Sequence, residues 1–144
     1  MLTRRRILAL GTGLAATALL SACGATTPIR PAVAISDLSL TEIRQALIQA
    51  GDERGWVVSA MPQANQLQAT FVKDYHCCVV DIIYNESTFT ISLNDNTSKS
   101  LLNPDGSVHR KVNQWINNYR HDAQTIMTQM RIKKRNQATL GKLW

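Results

Sequence analysis

The most reactive side chains stand together at His76-Cys77-Cys78, where one histidine and two thiols could bind copper or zinc. Alternation along a strand works against such a site, because neighbouring residues point to opposite faces and Cys77 and Cys78 cannot both reach one ion. His109 and His121 are twelve positions apart on a predicted helix, about 120° around its axis, so they do not converge. We therefore predict no metal site and no cofactor, with Cys78 as a small core residue.

Cys77 and Asp81 are the other two candidates for chemistry. An accessible thiol in an oxidising compartment can form an intermolecular disulfide, so a homodimer linked through Cys77 stays open as an alternative to a free thiol. Asp81 lies among apolar neighbours, which could suit it to acid–base catalysis, but only Gln68 faces it in register and no second carboxylate is near. The chain has no nucleophile elbow, zinc-protease helix or phosphate-binding glycine loop. We predict a non-enzymatic protein without catalytic residues.

Period-two stretches predict four strands, near residues 56–61, 67–73, 76–84 and 88–94. A turn at residues 73–76 places apolar side chains opposite one another on one face, and a slip of one residue would exchange the two faces. The apolar pairs are Phe71 with Cys78, Ala69 with Val80, and Leu67 with Ile82. The same logic pairs Phe89, Ile91 and Leu93 with Tyr84, Ile82 and Val80. Trp56, Val58 and Ala60 complete this core face.

The opposite face of the sheet is the predicted partner surface. Its members are Val57, Val72, Cys77, Val79, Asp81 and Ile83. Exposed apolar patches often mark surfaces that bind partners or ligands. Two alternatives stay open: β-branched residues suit strands in any case, and the segment before the domain could fold over this face.

Two helices flank the predicted strands. Ser39 and Glu42 have the spacing of a capping box, and apolar residues follow them at helical intervals. The turn signal Asn103-Pro104-Asp105-Gly106 precedes a second apolar stripe from Val108 to Met130. We predict a single α+β domain over residues 38–130, in which both helices pack on one face of a four-stranded antiparallel meander, in the order α-β-β-β-β-α.

Residues 1–22 have the layout of an export signal. Arginines occupy positions 4–6, and an apolar run of about 14 residues follows, which is shorter than the roughly 20 residues of a membrane-spanning helix. The arginines also resemble, loosely, those of a twin-arginine signal, so Sec and twin-arginine export both stay open.

The end of this signal, Leu20-Ser21-Ala22-Cys23, resembles a bacterial lipobox. The resemblance implies that Cys23 becomes the lipid-bearing first residue of the mature chain, with acyl chains such as palmitate holding it permanently on a membrane. Gly24 stands where an aspartate would imply retention at the inner membrane. The resemblance therefore implies the outer membrane, facing the periplasm.

The two ends of the mature chain are predicted to lack fixed structure. Residues 23–37 contain prolines and no amphipathic period, which is typical of a flexible tether. Residues 131–144 carry a cluster of cations without an acid, and we predict a disordered tail there, with contact to anionic lipid as the alternative. Without the three signal arginines, 13 basic residues stand against 10 acidic ones. This balance favours no nucleic-acid partner.

Several short motifs resemble a family of small, uncharacterised bacterial lipoproteins. They are the lipobox, Gly55-Trp56-Val57-Val58, Val80-Asp81-Ile82, and His109-Arg110 before the helix of Trp115. The resemblance covers about residues 40–127 and implies fold and location, but it brings no catalytic residue. We predict a lipid-anchored cell-envelope lipoprotein that acts as a binding or assembly module for an envelope protein. The alternative is a periplasmic carrier of a small ligand or metal that uses His76 and Cys77.

Overall fold

The computed structural model describes residues 32–144. The elements are β1 (Val33–Ala34), α1 (Leu40–Asp52), β2 (Val57–Ala60), β3 (Gln66–Lys73), β4 (His76–Tyr84), β5 (Thr88–Leu93) and α2 (Arg110–Gly141), with a 3-10 turn at Lys99–Leu101 before α2. The predicted signal at residues 1–22, the lipidation residue Cys23 and most of the predicted tether lie outside the described residues.

The strands form one antiparallel sheet in the order β1-β5-β4-β3-β2. The predicted α+β class is confirmed, but the predicted number of four strands is wrong. Val33–Ala34, which we predicted to belong to the flexible tether, pairs with β5 opposite Phe89 and Thr88, and the Val33 side chain is buried. Two residues are too few to show a period in the sequence, so the pattern could not reveal this edge strand.

The predicted register of the meander is confirmed for every pair on its core face. Phe71 lies opposite Cys78, Ala69 opposite Val80, and Leu67 opposite Ile82, while β5 meets β4 through the three predicted pairs. The β3–β4 turn explains this precision in the pairing. Asp74 and Tyr75 have φ angles of 48° and 69°, as in the type I′ turns whose twist matches that of a two-residue hairpin.

Helix α1 starts at the predicted capping box. The Ser39 hydroxyl accepts a hydrogen bond from the Glu42 amide (3.2 Å), and the Glu42 carboxylate accepts one from the Ser39 amide (2.7 Å). The helix buries the predicted apolar stripe, together with Gly51. A Cβ atom at Gly51 would lie 2.6 Å from both Tyr119 Oη and Val58 Cγ2, so only glycine lets α1 approach α2 and β2 this closely.

Aromatic rings join α2 to the sheet. Trp56 contacts Phe71 and Tyr119 at centroid distances of 5.3 and 5.4 Å, and Phe71 contacts Trp115 at 5.0 Å. The buried Tyr119 hydroxyl donates a hydrogen bond to the Leu47 carbonyl (2.8 Å), which ties α2 to α1. Of the residues predicted on the core face of the first strand, Trp56 is buried and Val58 half-buried.

The third residue predicted on that core face, Ala60, is exposed, so this part of the prediction is wrong. Strand β2 forms one edge of the sheet, and only its first half reaches the side chains of the helices.

The long helix α2 corrects the predicted tail. It continues to Gly141, past the predicted domain end at residue 130, where we predicted disorder. Lys134 Nζ contacts the Glu42 carboxylate (3.2 Å) and the Asp37 carbonyl (3.3 Å), which links this extension to the start of α1. Hydrogen bonding by the Ser39 amide and by Lys134 lowers the pKa of Glu42. Residues such as Arg, Lys, Gln and Ala favour helix, so α2 continues after its apolar stripe has ended.

Candidate functional site

The sheet face turned away from the helices is divided rather than uniformly apolar. Val57 and Val72 are exposed, by 68% and 65%, near the β3–β4 turn. They are diagonal neighbours, because Val57 lies opposite Thr70, two positions before Val72. Ile83, 53% exposed, lies opposite Gln66, near the other end of β3. The predicted partner surface therefore consists of two separate apolar areas.

A polar cluster around Asp81 separates these areas. The Asp81 carboxylate accepts hydrogen bonds from Gln68 Nε2 (3.3 Å) and Asn94 Nδ2 (2.8 Å), one on each oxygen. Gln68 is the partner that the register predicted. Asn94 was not predicted, because it follows β5 in a run of small polar residues that has the composition of a plain loop. With both oxygens bonded to amides, Asp81 acts as a structural acceptor that fixes this loop on the sheet.

Val79 was predicted on the open surface, and this prediction is wrong, because the side chain is only 6% exposed. Residues 94–98 continue beside β4 past the end of β5 and bond to the β4 backbone at this point. The Asn94 amide donates to the Val79 carbonyl (2.8 Å), and the buried Thr97 hydroxyl accepts from the Val79 amide (2.9 Å) while donating to its carbonyl (3.0 Å). Val79 therefore cannot contact a partner.

The two cysteines lie on opposite faces of β4, as strand alternation predicted. Cys78 is fully buried in the core, and this burial raises the pKa of its thiol to about 12. Cys77 is half-buried on the open face opposite Val72, with its amide bonded to the Ser98 hydroxyl (2.9 Å). Neither forms a disulfide within residues 32–144. Of these two thiols, Cys77 is the one that solvent can reach.

His76 lies on the helix side of the sheet and is separated from Cys77. Its Nδ1 is 2.7 Å from the Ser100 hydroxyl, and it lines a cavity of about 190 Å³ together with His109. His109 Nδ1 accepts a hydrogen bond from the Lys111 amide (3.3 Å) and caps α2. The sequence did not indicate this pairing, since the two histidines are 33 positions apart. The predicted carrier site from His76 and Cys77 is not assembled.

No metal site forms in the part of the chain that the structure describes. Within residues 32–144, no group of three or more histidine, cysteine, aspartate or glutamate side chains could hold an ion. The cavity of His76 and His109 also contains Asp74, but its wall includes two lysines, Lys73 and Lys111, which repel a cation.

The β3–β4 turn carries the most unusual side chain of the open face. Tyr75 is fully exposed, and its φ angle of 69° places it in the left-handed region that usually holds glycine or asparagine. Tyr75 lies at the same end of the sheet as Val57, Val72 and Cys77, and we name these four residues the hairpin patch. Three of these four residues belong to the partner surface predicted from the sequence. Tyr75 does not, because the strand pattern places it in the turn and on neither face of the sheet.

The chain was compared with known families, proteins and structures. No protein-family model, curated protein or solved structure matches it. Among residues 32–144, neither helix has both the length and the hydropathy needed to cross a bilayer.

Proposed function

We propose that the protein is a lipid-anchored cell-envelope lipoprotein whose domain acts as a non-enzymatic binding or assembly module. The hairpin patch contacts its partner, an envelope protein with an apolar pocket that accepts the Tyr75 ring. The observation that carries this proposal is the fully exposed Tyr75 at a φ angle of 69°. Glycine would suit the turn better, and residues held in unfavourable conformations cluster where a protein binds or reacts.

The composition of the hairpin patch supports recognition of a protein. Tyrosine is enriched among residues that dominate binding energy, since its ring is large and has few rotatable bonds. Val57 and Val72 are stiff β-branched side chains with most of their surface exposed, and they lose little entropy on contact. Lys73 and Asp74 beside them supply a charged rim. The patch thus has an apolar centre and a polar border.

The lipobox supports the anchor. Leu20-Ser21-Ala22-Cys23 directly follows the short apolar run, and we propose that Cys23 carries the lipid and that the domain faces the periplasm from the outer membrane. An anchored protein diffuses in two dimensions close to other envelope proteins, so a patch of modest area is sufficient for productive encounters.

The proposal can be tested by crosslinking in living cells. A photo-crosslinking phenylalanine analogue is placed at Tyr75, and the matched control carries the same analogue at Ile83, which is exposed on the same face but outside the patch. We expect a specific envelope protein to be crosslinked from position 75 and not from position 83. The product should be lost in Cys23→Ser, which cannot be anchored.

Other outcomes would contradict parts of this proposal. Equal crosslinking from both positions, or none from position 75 in an anchored and folded protein, would refute the hairpin patch as the contact. A product of twice the chain mass would identify a second copy as the partner. If that product also disappeared in Cys77→Ser under non-reducing conditions, the homodimer would be the disulfide-linked one.

A further inference from the structure

We infer that residues 131–144, which comprise the C-terminal part of α2 and the three residues after it, bind the anionic phospholipid surface to which the chain is anchored. The inference rests on the proposed anchor at Cys23 but concerns a different surface from the hairpin patch. The observations that carry it are the unpaired cations of this segment, its exposed apolar end and the shortness of the chain that joins it to Cys23.

The cations of this segment lack acidic partners. Among residues 32–144, only Lys134 of this segment forms an ion pair, with Glu42. Within the same described residues, no ion pair is formed by the segment's other four cations, Arg131, Lys133, Arg135 and Lys142. Residues 1–31 and 131–144 contain no aspartate or glutamate, so the terminal segments cannot supply an acidic side chain either. Four positive charges therefore remain on a helix that projects past the core.

Two of the unpaired cations, Arg131 and Arg135, line a groove that suits a phosphate group. The groove has a volume of about 340 Å³ and lies between the start of the domain and α2, with Arg131, Lys134 and Arg135 on its wall and Asp37 as the one acid there. Guanidinium groups match phosphate geometry through two parallel hydrogen bonds. Phospholipid head groups present such phosphates at high local density.

The end of the helix is apolar. Leu140 and Leu143 are 58% and 71% exposed, and the terminal Trp144 is fully exposed. Tryptophan is enriched at the level of lipid head groups, where its ring is half in an apolar medium. Cations followed by leucines and a tryptophan form the pattern of helices that lie on a membrane surface, whereas a solvated tail gains nothing from three exposed apolar side chains.

The chain that leads to Cys23 holds this surface near the lipid. Val33 comes ten positions after Cys23, and even a fully extended chain spans at most about 36 Å over that distance. Residues 33–36 run along α2 beside Thr128 and Arg131, so the chain enters the domain next to the first unpaired cation. From there to Lys142 the helix rises only about 16 Å. The basic segment therefore stays within reach of the membrane.

This orientation also places the hairpin patch. The first turn of α2 shares a cavity with the β3–β4 turn, through Lys111 and Lys73. From Arg110 to Arg131 the helix rises about 32 Å. Contact between lipid and the C-terminal end of α2 would hold the hairpin patch on the far side of the domain, facing the periplasm.

The test uses the full chain, produced in bacteria, extracted from their membranes and reconstituted into vesicles. The vesicles contain phosphatidylcholine alone or mixed with phosphatidylglycerol, each with a brominated lipid that quenches tryptophan fluorescence. The difference between the native chain and Trp144→Phe isolates Trp144 from Trp56 and Trp115. We expect quenching of Trp144 in the anionic vesicles and not in the neutral ones.

Charge variants identify the residues responsible. Each basic residue near an anionic surface contributes roughly a five-fold factor in binding, so Arg131→Gln with Arg135→Gln should lower the ratio of lipid-bound to free helix about 25-fold. The matched control, Lys73→Gln with Lys111→Gln, removes the same charge at the opposite end of α2 and should keep the quenching. Circular dichroism verifies that the helix is retained in both.

Each remaining outcome overturns the inference in a recognisable way. An anchored chain whose Trp144 is quenched equally in both lipids, or equally in the Arg131 and Arg135 variant, refutes binding to anionic phospholipid through these charges and leaves the anchor intact. A chain that floats with neither type of vesicle refutes the anchor as well. A change in Trp144 emission on adding a soluble acidic polysaccharide, without quenching by lipid, would assign the segment to an acidic polymer.

Discussion

Tyr75 occupies the second position of the β3–β4 turn with a φ angle of 69°, and Tyr75→Gly should stabilise the domain. The left-handed conformation costs a residue with a Cβ roughly 1–2 kcal/mol, and glycine avoids this cost. Glycine also lowers the free energy of unfolding by about 0.5–1 kcal/mol, because it increases the conformational freedom of the unfolded chain. Since the Tyr75 side chain is fully exposed, no buried contact is lost. The net gain in free energy of unfolding is about 0.5–1 kcal/mol.

Urea denaturation of the native chain, Tyr75→Gly and Tyr75→Ala measures this effect. Alanine removes the ring but keeps the Cβ, so its stability should stay within about 0.5 kcal/mol of the native value. The gain of glycine over alanine then reports the backbone alone. A glycine variant no more stable than the alanine variant would refute the argument that the turn is held in an unfavourable conformation.

The same two variants separate stability from recognition. Both lack the ring, so both should lose the envelope partner, although one is more stable than the native chain and the other is not. Recovery of the partner with Tyr75→Gly at the native level would refute the proposal that this ring is kept for binding.

Three further substitutions test the packing. Gly51→Ala should destabilise the domain by about 1–3 kcal/mol, because the added Cβ would meet Tyr119. This cost exceeds the gain from the helix preference of alanine, and urea denaturation measures the net effect. An increase in stability would contradict the contact. Thr97→Val should cost about 1–3 kcal/mol, because the Val79 amide loses its Thr97 partner and the Val79 carbonyl keeps only the Asn94 amide, whereas Thr97→Ser should cost less. The Cys78 thiol ionises near pH 9 when unfolded but at about 12 when folded, so the unfolded chain holds fewer protons between these values and stability falls as the pH rises. Cys78→Ala should show a shallower fall in the urea midpoint over that pH range, and an equal slope would contradict the burial of the thiol.

Features with a strong local period could be predicted from the sequence. The pairing of Phe71 with Cys78 and of Tyr84 with Phe89 followed from alternation together with the positions of the turns, because a slip of one residue would place apolar side chains in water. The capping box of α1 was equally direct, since both of its partners lie within four residues. These features depend on residues close in the chain or on a periodic pattern of several residues.

Features that depend on single long-range contacts could not be predicted. Val33–Ala34 joins β5 across more than fifty residues with no pattern of its own. Val79 is buried at a point where Asn94 and Thr97 bond to its backbone. Alternation correctly assigned Val79 to the face away from the helices, but it could not show that residues 94–98 lie beside β4 there. The candidate site was consequently predicted with the right face and the wrong extent.

The contact between α1 and α2 determines the order in which the domain can fold. Strands β2 to β5 pair with their neighbours in the chain, so their hairpins can close early. The Tyr119 hydroxyl, in contrast, meets the Leu47 carbonyl across 72 residues, and the core stripe of α1 lacks the part of its cover that α2 supplies until that helix has been made. A nascent or translocating chain that ends before residue 119 exposes this apolar surface, which is the kind of segment that chaperones bind. Completion of the fold therefore waits for the synthesis of α2.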